Sequence, residues 1–137
     1  MKPSLLISWI LRIVVALILG PAVYFKFSSA DAAIQNFTTL GMEPSGRYIV
    51  AMLELITVLL LLTPQGVVWG AILGWGVMSG ALIAHATELG FSGPAMPSAL
   101  MAIASWILCA AIAFLHREKA LFLNAMFGGK SHRSDTD

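Results

Sequence analysis

Residues 67–89 read VVWGAILGWGVMSGALIAHATEL, an apolar run whose one formal charge, Glu88, sits at its far end. At about 1.5 Å per residue, a helix over this run crosses a hydrocarbon core of about 30 Å. Working outward, runs of the same character cover residues 5–25, 48–62 and 98–115. The second is short. With Pro44 ahead of it and Thr63-Pro64 behind, its helix is expected to extend upstream toward Gly46. Strands are excluded because an isolated four-strand sheet would leave bare edges in lipid. The expected fold is therefore all-α: an antiparallel four-helix transmembrane bundle within residues 1–119, a short interfacial helix over 120–127 and a mobile polar tail over 128–137.

Composition leads to the same solvent. The 137 residues are 58% hydrophobic and only 11% charged, against about 25% charged in soluble domains, and the mean hydropathy is +0.86. That leaves too little polar surface to cover a compact core, so lipid must contact most of the outside. Disorder and most soluble enzyme folds are excluded. A net charge of +1 gives no argument for a nucleic-acid partner. The single cysteine, Cys109, excludes an intrachain disulfide and reads as an apolar filler.

The first run holds Arg12 and is followed by Tyr24-Phe25-Lys26-Phe27 rather than by the small residues of a cleavage site, so it reads as a mature helix. Lys2 precedes it, and Arg117, Lys119, Lys130 and Arg133 follow the last run. From these basic flanks both termini are expected on the cytoplasmic side, and an even number of crossings requires that they share one. Ser28 to Gly46 is then the longest external connection.

Arg12, Glu54, His85 and Glu88 lie at or near membrane depth, with Lys26 and Arg47 at the rim. A charge at the centre of a bilayer costs roughly 2.5 to 3.5 kcal/mol on translocon scales, which favours turning these groups inward. Arg12 and Lys26 fall within about 40° of each other on one helix, and Arg47 and Glu54 within about 20° on the next. His85 and Glu88 are i, i+3 neighbours. The expected site gathers Lys26, Arg47, Glu54, His85 and Glu88 below an outer opening, with Arg12 beneath and within reach of Glu54. Glu54 and His85 are the candidate proton-transferring groups; Arg12, Lys26, Arg47 and Glu88 are the candidate substrate-binding groups. The competing reading is a set of ion pairs that only fixes helix register. A metal site is not read from Glu54, His85 and Glu88, because the neighbouring cations oppose one. Gly66, Gly70 and Gly74, and on another face Gly76 and Gly80, signal close helix approach, with a homodimer as a further use.

Arg12, the stretch Gly20-Pro21-Ala22-Val23-Tyr24-Phe25-Lys26-Phe27, Leu40-Gly41-Met42-Glu43-Pro44, Glu54-Leu55 and the His85 region together resemble the DoxX-like family of small four-helix membrane proteins. The resemblance covers about Leu11 to Phe91. It departs in the fourth helix, where members often carry an amide or basic residue but Ala99 to Ala113 is apolar apart from Ser105 and Cys109. Some relatives are similar to a subunit of thiosulfate:quinone oxidoreductase, and others are associated with redox-stress membrane complexes. The resemblance thus implies a multi-pass protein of the bacterial inner membrane, serving as a membrane subunit or accessory of a quinone-linked redox complex. Quinone is the candidate cofactor. No bound redox centre is encoded in recognisable form, so electrons would arrive from a redox protein partner. A small proton-coupled transporter or solute binder, and a non-catalytic assembly factor, stay open as alternatives.

Overall fold

The computed structural model describes residues 2–119; the interfacial helix and polar tail expected after Lys119 lie outside the described residues. Helices α1 (Pro3–Phe27), α2 (Asp31–Thr39), α3 (Ser45–Leu61), α4 (Val67–Ala84) and α5 (Met96–Leu115) follow in order, with no strand among the described residues. Local chemistry sets their ends. Pro3 and Pro97 stand in first turns, where a missing backbone N–H leaves no hydrogen bond unmade. Lys26 lies in the last turn of α1, where the helix dipole favours a cation. Past Ala84 the chain does not stop; it widens into a π-helical turn, His85–Leu89, closed by the Gly90 N–H donating to the His85 carbonyl at 2.8 Å.

Four long helices form a ring in which α1 packs on α3, α3 on α4, α4 on α5 and α5 back on α1. Neighbours run antiparallel, as the ends they join show: Ser8 near the start of α1 meets His116 at the end of α5, and Arg47 near the start of α3 donates to the Lys26 carbonyl at the end of α1. We call the end carrying Lys26 upper and the end carrying Arg12 lower. Val15, Leu19, Leu61, Ala71, Cys109 and Ile112 fill the centre. The outside is apolar as well: Leu17, Leu59, Trp69, Ile83, Ile107 and Phe114 are exposed. Three helical stretches, Pro3–Phe27, Val67–Leu89 and Gly93–Leu115, are long and apolar enough to cross a membrane. With its outside as apolar as its inside, the bundle is built for a lipid solvent.

The connection between α1 and α3, expected as the longest external segment, carries a helix of its own: α2 occupies Asp31–Thr39 and lies across the upper end, with Phe37 buried. The glycines of α4 also divide. A Cβ on Gly66 would come within 2.9 Å of Leu60, on Gly70 within 2.8 Å of the Leu61 nitrogen, and on Gly74 within 2.8 Å of the Thr57 methyl. These three press α4 onto the lower half of α3. A Cβ on Gly76 or Gly80, on another face, would meet nothing within 4 Å; on the seam face itself, Val77 and Ala81 of α4 and Val50 and Leu53 of α3 border a cavity, so the α3–α4 hairpin is tight at its turn and open toward its mouth.

Candidate functional site

Inside the upper half of the bundle lies a cavity of about 660 Å³. Leu19 and Lys26 of α1, Val50 and Glu54 of α3, and Ala81 of α4 contribute to its wall, Ala102 of α5 borders it, and α2 contributes Asn36 and Phe37. Its surface is mainly apolar, and its polar groups fall into two clusters.

The first is an ion pair. Lys26 donates from Nζ to both carboxylate oxygens of Glu54, at 2.9 and 3.1 Å. Glu54 is 4% exposed, so its charge depends on that ammonium rather than on water. Arg47, also buried, supports the pair from behind. It donates to the Lys26 backbone carbonyl and to the Glu43 carboxylate, which fixes where α1 ends relative to α3.

The second cluster centres on His85, also 4% exposed. Its Nδ1 is 2.9 Å from the Gly90 carbonyl oxygen. A carbonyl can only accept, so Nδ1 carries the proton and the neutral ring keeps its lone pair on Nε2. The π-helical turn brings this carbonyl into reach, and it needs glycine: Gly90 has φ +76° and ψ −179°, a region closed to side-chain-bearing residues at ordinary cost. Nε2 lies 3.3 Å from Ser98 Oγ, whose one proton is within reach of either Nε2 or the Ala95 carbonyl, 3.0 Å away, while the oxygen accepts from Asn36 Nδ2 at 3.3 Å. Residues from α2, the π turn and α5 are thereby tied together at one corner of the cavity.

The structure brings Lys26, Glu54 and His85 to a shared cavity and leaves the other expected members elsewhere. Glu88 is exposed on the outer side of the π turn. Arg47 sits behind the ion pair and does not border the cavity. Arg12 belongs to the lower end and does not pair with Glu54. Its guanidinium, 1% exposed, donates from Nε to the Leu61 carbonyl and from Nη2 to the Thr63 carbonyl at 3.2 Å, and it lies 3.8 Å from the Trp9 ring centre. Those carbonyls end α3, and the negative end of that helix dipole balances the charge that Glu54 was expected to balance. Buried Val15, Leu19 and Leu61 fill the interval between the two polar centres. Asn36 and Ser98 were not among the expected site residues. Short polar residues near helix ends ordinarily signal caps, and only the tertiary arrangement gives them this role.

Near Arg12, Ser8 Oγ and His116 Nε2 are 2.7 Å apart. Burial, with Arg12 and Lys119 close by, holds the His116 imidazole below its ordinary value of 6.5. Among the described residues no cluster of three or more His, Cys, Asp or Glu side chains could hold a metal ion.

A family model described as the DoxX-like family matches residues 10–107, a stretch that contains Lys26, Glu54, His85 and Ser98. No curated protein and no solved structure matches the chain.

Proposed function

The chain belongs to the DoxX-like family, and from that footing we propose that it is a membrane subunit of a quinone-linked redox complex, with the upper cavity as its quinone site. The observation that carries this reading is an apolar cavity of about 660 Å³ furnished with one buried ion pair and one oriented imidazole. Such a lining suits a flat apolar ring bearing a few oxygens, because apolar walls bury the ring while sparse polar groups orient it. Lys26 stabilises negative charge that develops on a ring oxygen. His85 Nε2 has a lone pair to receive a proton and, once protonated, can pass it to that oxygen; Glu54 offers a second exchange point. The electron pair comes from a redox protein partner, so the chain supplies position, charge and protons.

In this proposal α3 is the fourth membrane span. Its seventeen residues give about 25 Å, and the buried Arg47 and Glu54 face inward rather than to lipid. The lower end, with Lys2, Arg117 and Lys119, is cytoplasmic, and the setting is a bacterial inner membrane. The basic residues of the upper end fit this orientation, because Lys26 and Arg47 are engaged with Glu54 and Glu43.

A proton-coupled cation transporter is less favoured on geometry. Both Glu54 oxygens already hold the Lys26 ammonium, so a cationic solute would have to expel a built-in cation to reach them. The test is thermal unfolding of the purified protein in mild detergent with a benzoquinone or naphthoquinone added. A rise in Tm for the native protein that disappears in Glu54→Gln supports the reading. No shift with either ring class overturns it and leaves an assembly role, which loss of a co-purifying partner on mutation of the packing glycines would support.

A further inference from the structure

The upper cavity has an asymmetric enclosure. Above, it is roofed by α2, which packs against α1, α3, the π turn and the following 3-10 turn at Gly93–Ala95. Buried Phe37 and the Asn36–Ser98 hydrogen bond hold that roof down. Below, it ends on Leu19, Met78 and Ala102, all buried. Sideways, its lining reaches the outer surface of α4. Gly76 and Gly80 border the cavity, are themselves exposed, and would have nothing within 4 Å of an added Cβ.

The helical phase agrees with a cleft between these two helices. On α3, the residues that meet Gly66, Gly70 and Gly74 are Leu60, Leu61 and Thr57. Continuing that same side upward by helical spacing leads to Leu53 and Val50, which border the cavity. On α4, Gly70 and Gly74 continue upward into Val77, Ala81 and Ala84, also bordering it. The two facing sides touch in the lower half and stand apart in the upper half, and the gap is lined by short or aliphatic side chains.

Resting on the quinone reading above, we propose that the ligand enters sideways from the bilayer through the cleft between the upper halves of α3 and α4, and that its apolar tail lies there along Gly76, Gly80 and Ala84. The ring then sits inward at Lys26, Glu54 and His85. Continuity favours a tail as the occupant. The cleft and the ion-pair chamber are one cavity, which a ligand with a polar head and a thin hydrocarbon chain fills from end to end. A helix of a second copy, about 10 Å across with its side chains, is too wide to follow it inward. Glycine at two successive turns leaves the groove depth that a chain needs against the α4 backbone.

The experiment compares a decyl-substituted benzoquinone with the same ring carrying no long chain, by titration against the purified protein, the Gly80→Leu variant and the Gly76→Leu variant. Leucine at either position meets no existing atom near its Cβ, so the fold is retained while the side chain occupies the cleft. The native protein is expected to bind the decyl compound at least about tenfold more tightly than the short ring. Either leucine variant removes most of that advantage and leaves short-ring binding within about twofold. Equal binding of the two compounds by the native protein overturns the tail site while the quinone reading stands. Equal weakening of both compounds by both variants also overturns it, because the cleft would then act only through the ring. A native dimer made monomeric by Gly80→Leu, with no change in tail preference, gives the cleft to a second copy and overturns it too. Binding of neither compound removes the quinone reading and this inference together.

Discussion

The Lys26 ammonium and the Glu54 carboxylate meet end to end, both oxygens engaged at 2.9 and 3.1 Å, from antiparallel helices, with Glu54 buried and Lys26 partly so. Removing one member of such a pair strands the other charge, whereas replacing both with apolar groups of similar volume is often near neutral. Lys26→Met is therefore expected to destabilise by about 3 to 5 kcal/mol, and Lys26→Met with Glu54→Leu by much less than the sum of the single changes. Detergent unfolding of the four members of this cycle checks it; additive losses would mean that the groups do not interact.

Gly74 is the tightest point of the lower seam, with a Cβ there falling 2.7 Å from Cys109 Sγ and 2.8 Å from the Thr57 methyl. Gly74→Ala should cost about 1 to 3 kcal/mol through overpacking. Adding Cys109→Ala, which removes the sulfur, should recover part of that loss. A Tm unchanged in Gly74→Ala would show that the seam has slack.

Gly90 holds the carbonyl that sets the proton position on His85. Gly90→Ala places a Cβ on a backbone at φ +76°, at a cost of about 1 to 3 kcal/mol. Relaxation of that strain moves the carbonyl, so benzoquinone binding should weaken in the same direction as in His85→Gln. Binding is read by titration and stability by unfolding. Full binding in Gly90→Ala would show that this hydrogen bond does not orient the imidazole for the ligand.

At the lower end the pH response is set by His116. Its folded-state affinity for a proton is depressed by burial first and by the Arg12 and Lys119 charges second, so the unfolded chain binds the proton more readily. Stability contributed by the neutral imidazole is complete above its ordinary value of 6.5 and is lost as pH falls below it toward the depressed folded value. The Tm should decline on acidification through this window, and His116→Gln should flatten that part of the profile. A Tm that rises as pH falls below 6.5 in the native protein, but not in the variant, would reverse the sign.

The apolar run of α4 was legible because length and composition alone distinguish a span, and the inward position of Gly74, Met78 and His85 follows from their shared helical phase. Arg12 shows where such counting fails. Glu54 precedes Leu61, the residue whose carbonyl Arg12 holds, by seven positions, about 10 Å along α3, while Lys26 ends α1 at the level of Glu54. Counting gave the depths, but a carbonyl at a helix end leaves no mark in the sequence as a partner for arginine. Nine residues of α2 carry little apolar periodicity beyond Ile34 and Phe37, so its seat on the bundle comes from tertiary contact. The glycines make the same point from the other side: Gly70 and Gly74 share a spacing with Gly76 and Gly80 but not a face, and only the fold shows which of the two faces meets α3.

Because the α3–α4 hairpin is fastened only over its lower half, the mechanical integrity of the protein and the shape of its upper hollow reside in different residues. Side chains at positions 76 and 80 can be enlarged without loosening the joint at 66 to 74, so the outline of the hollow can be redrawn along a single helix edge.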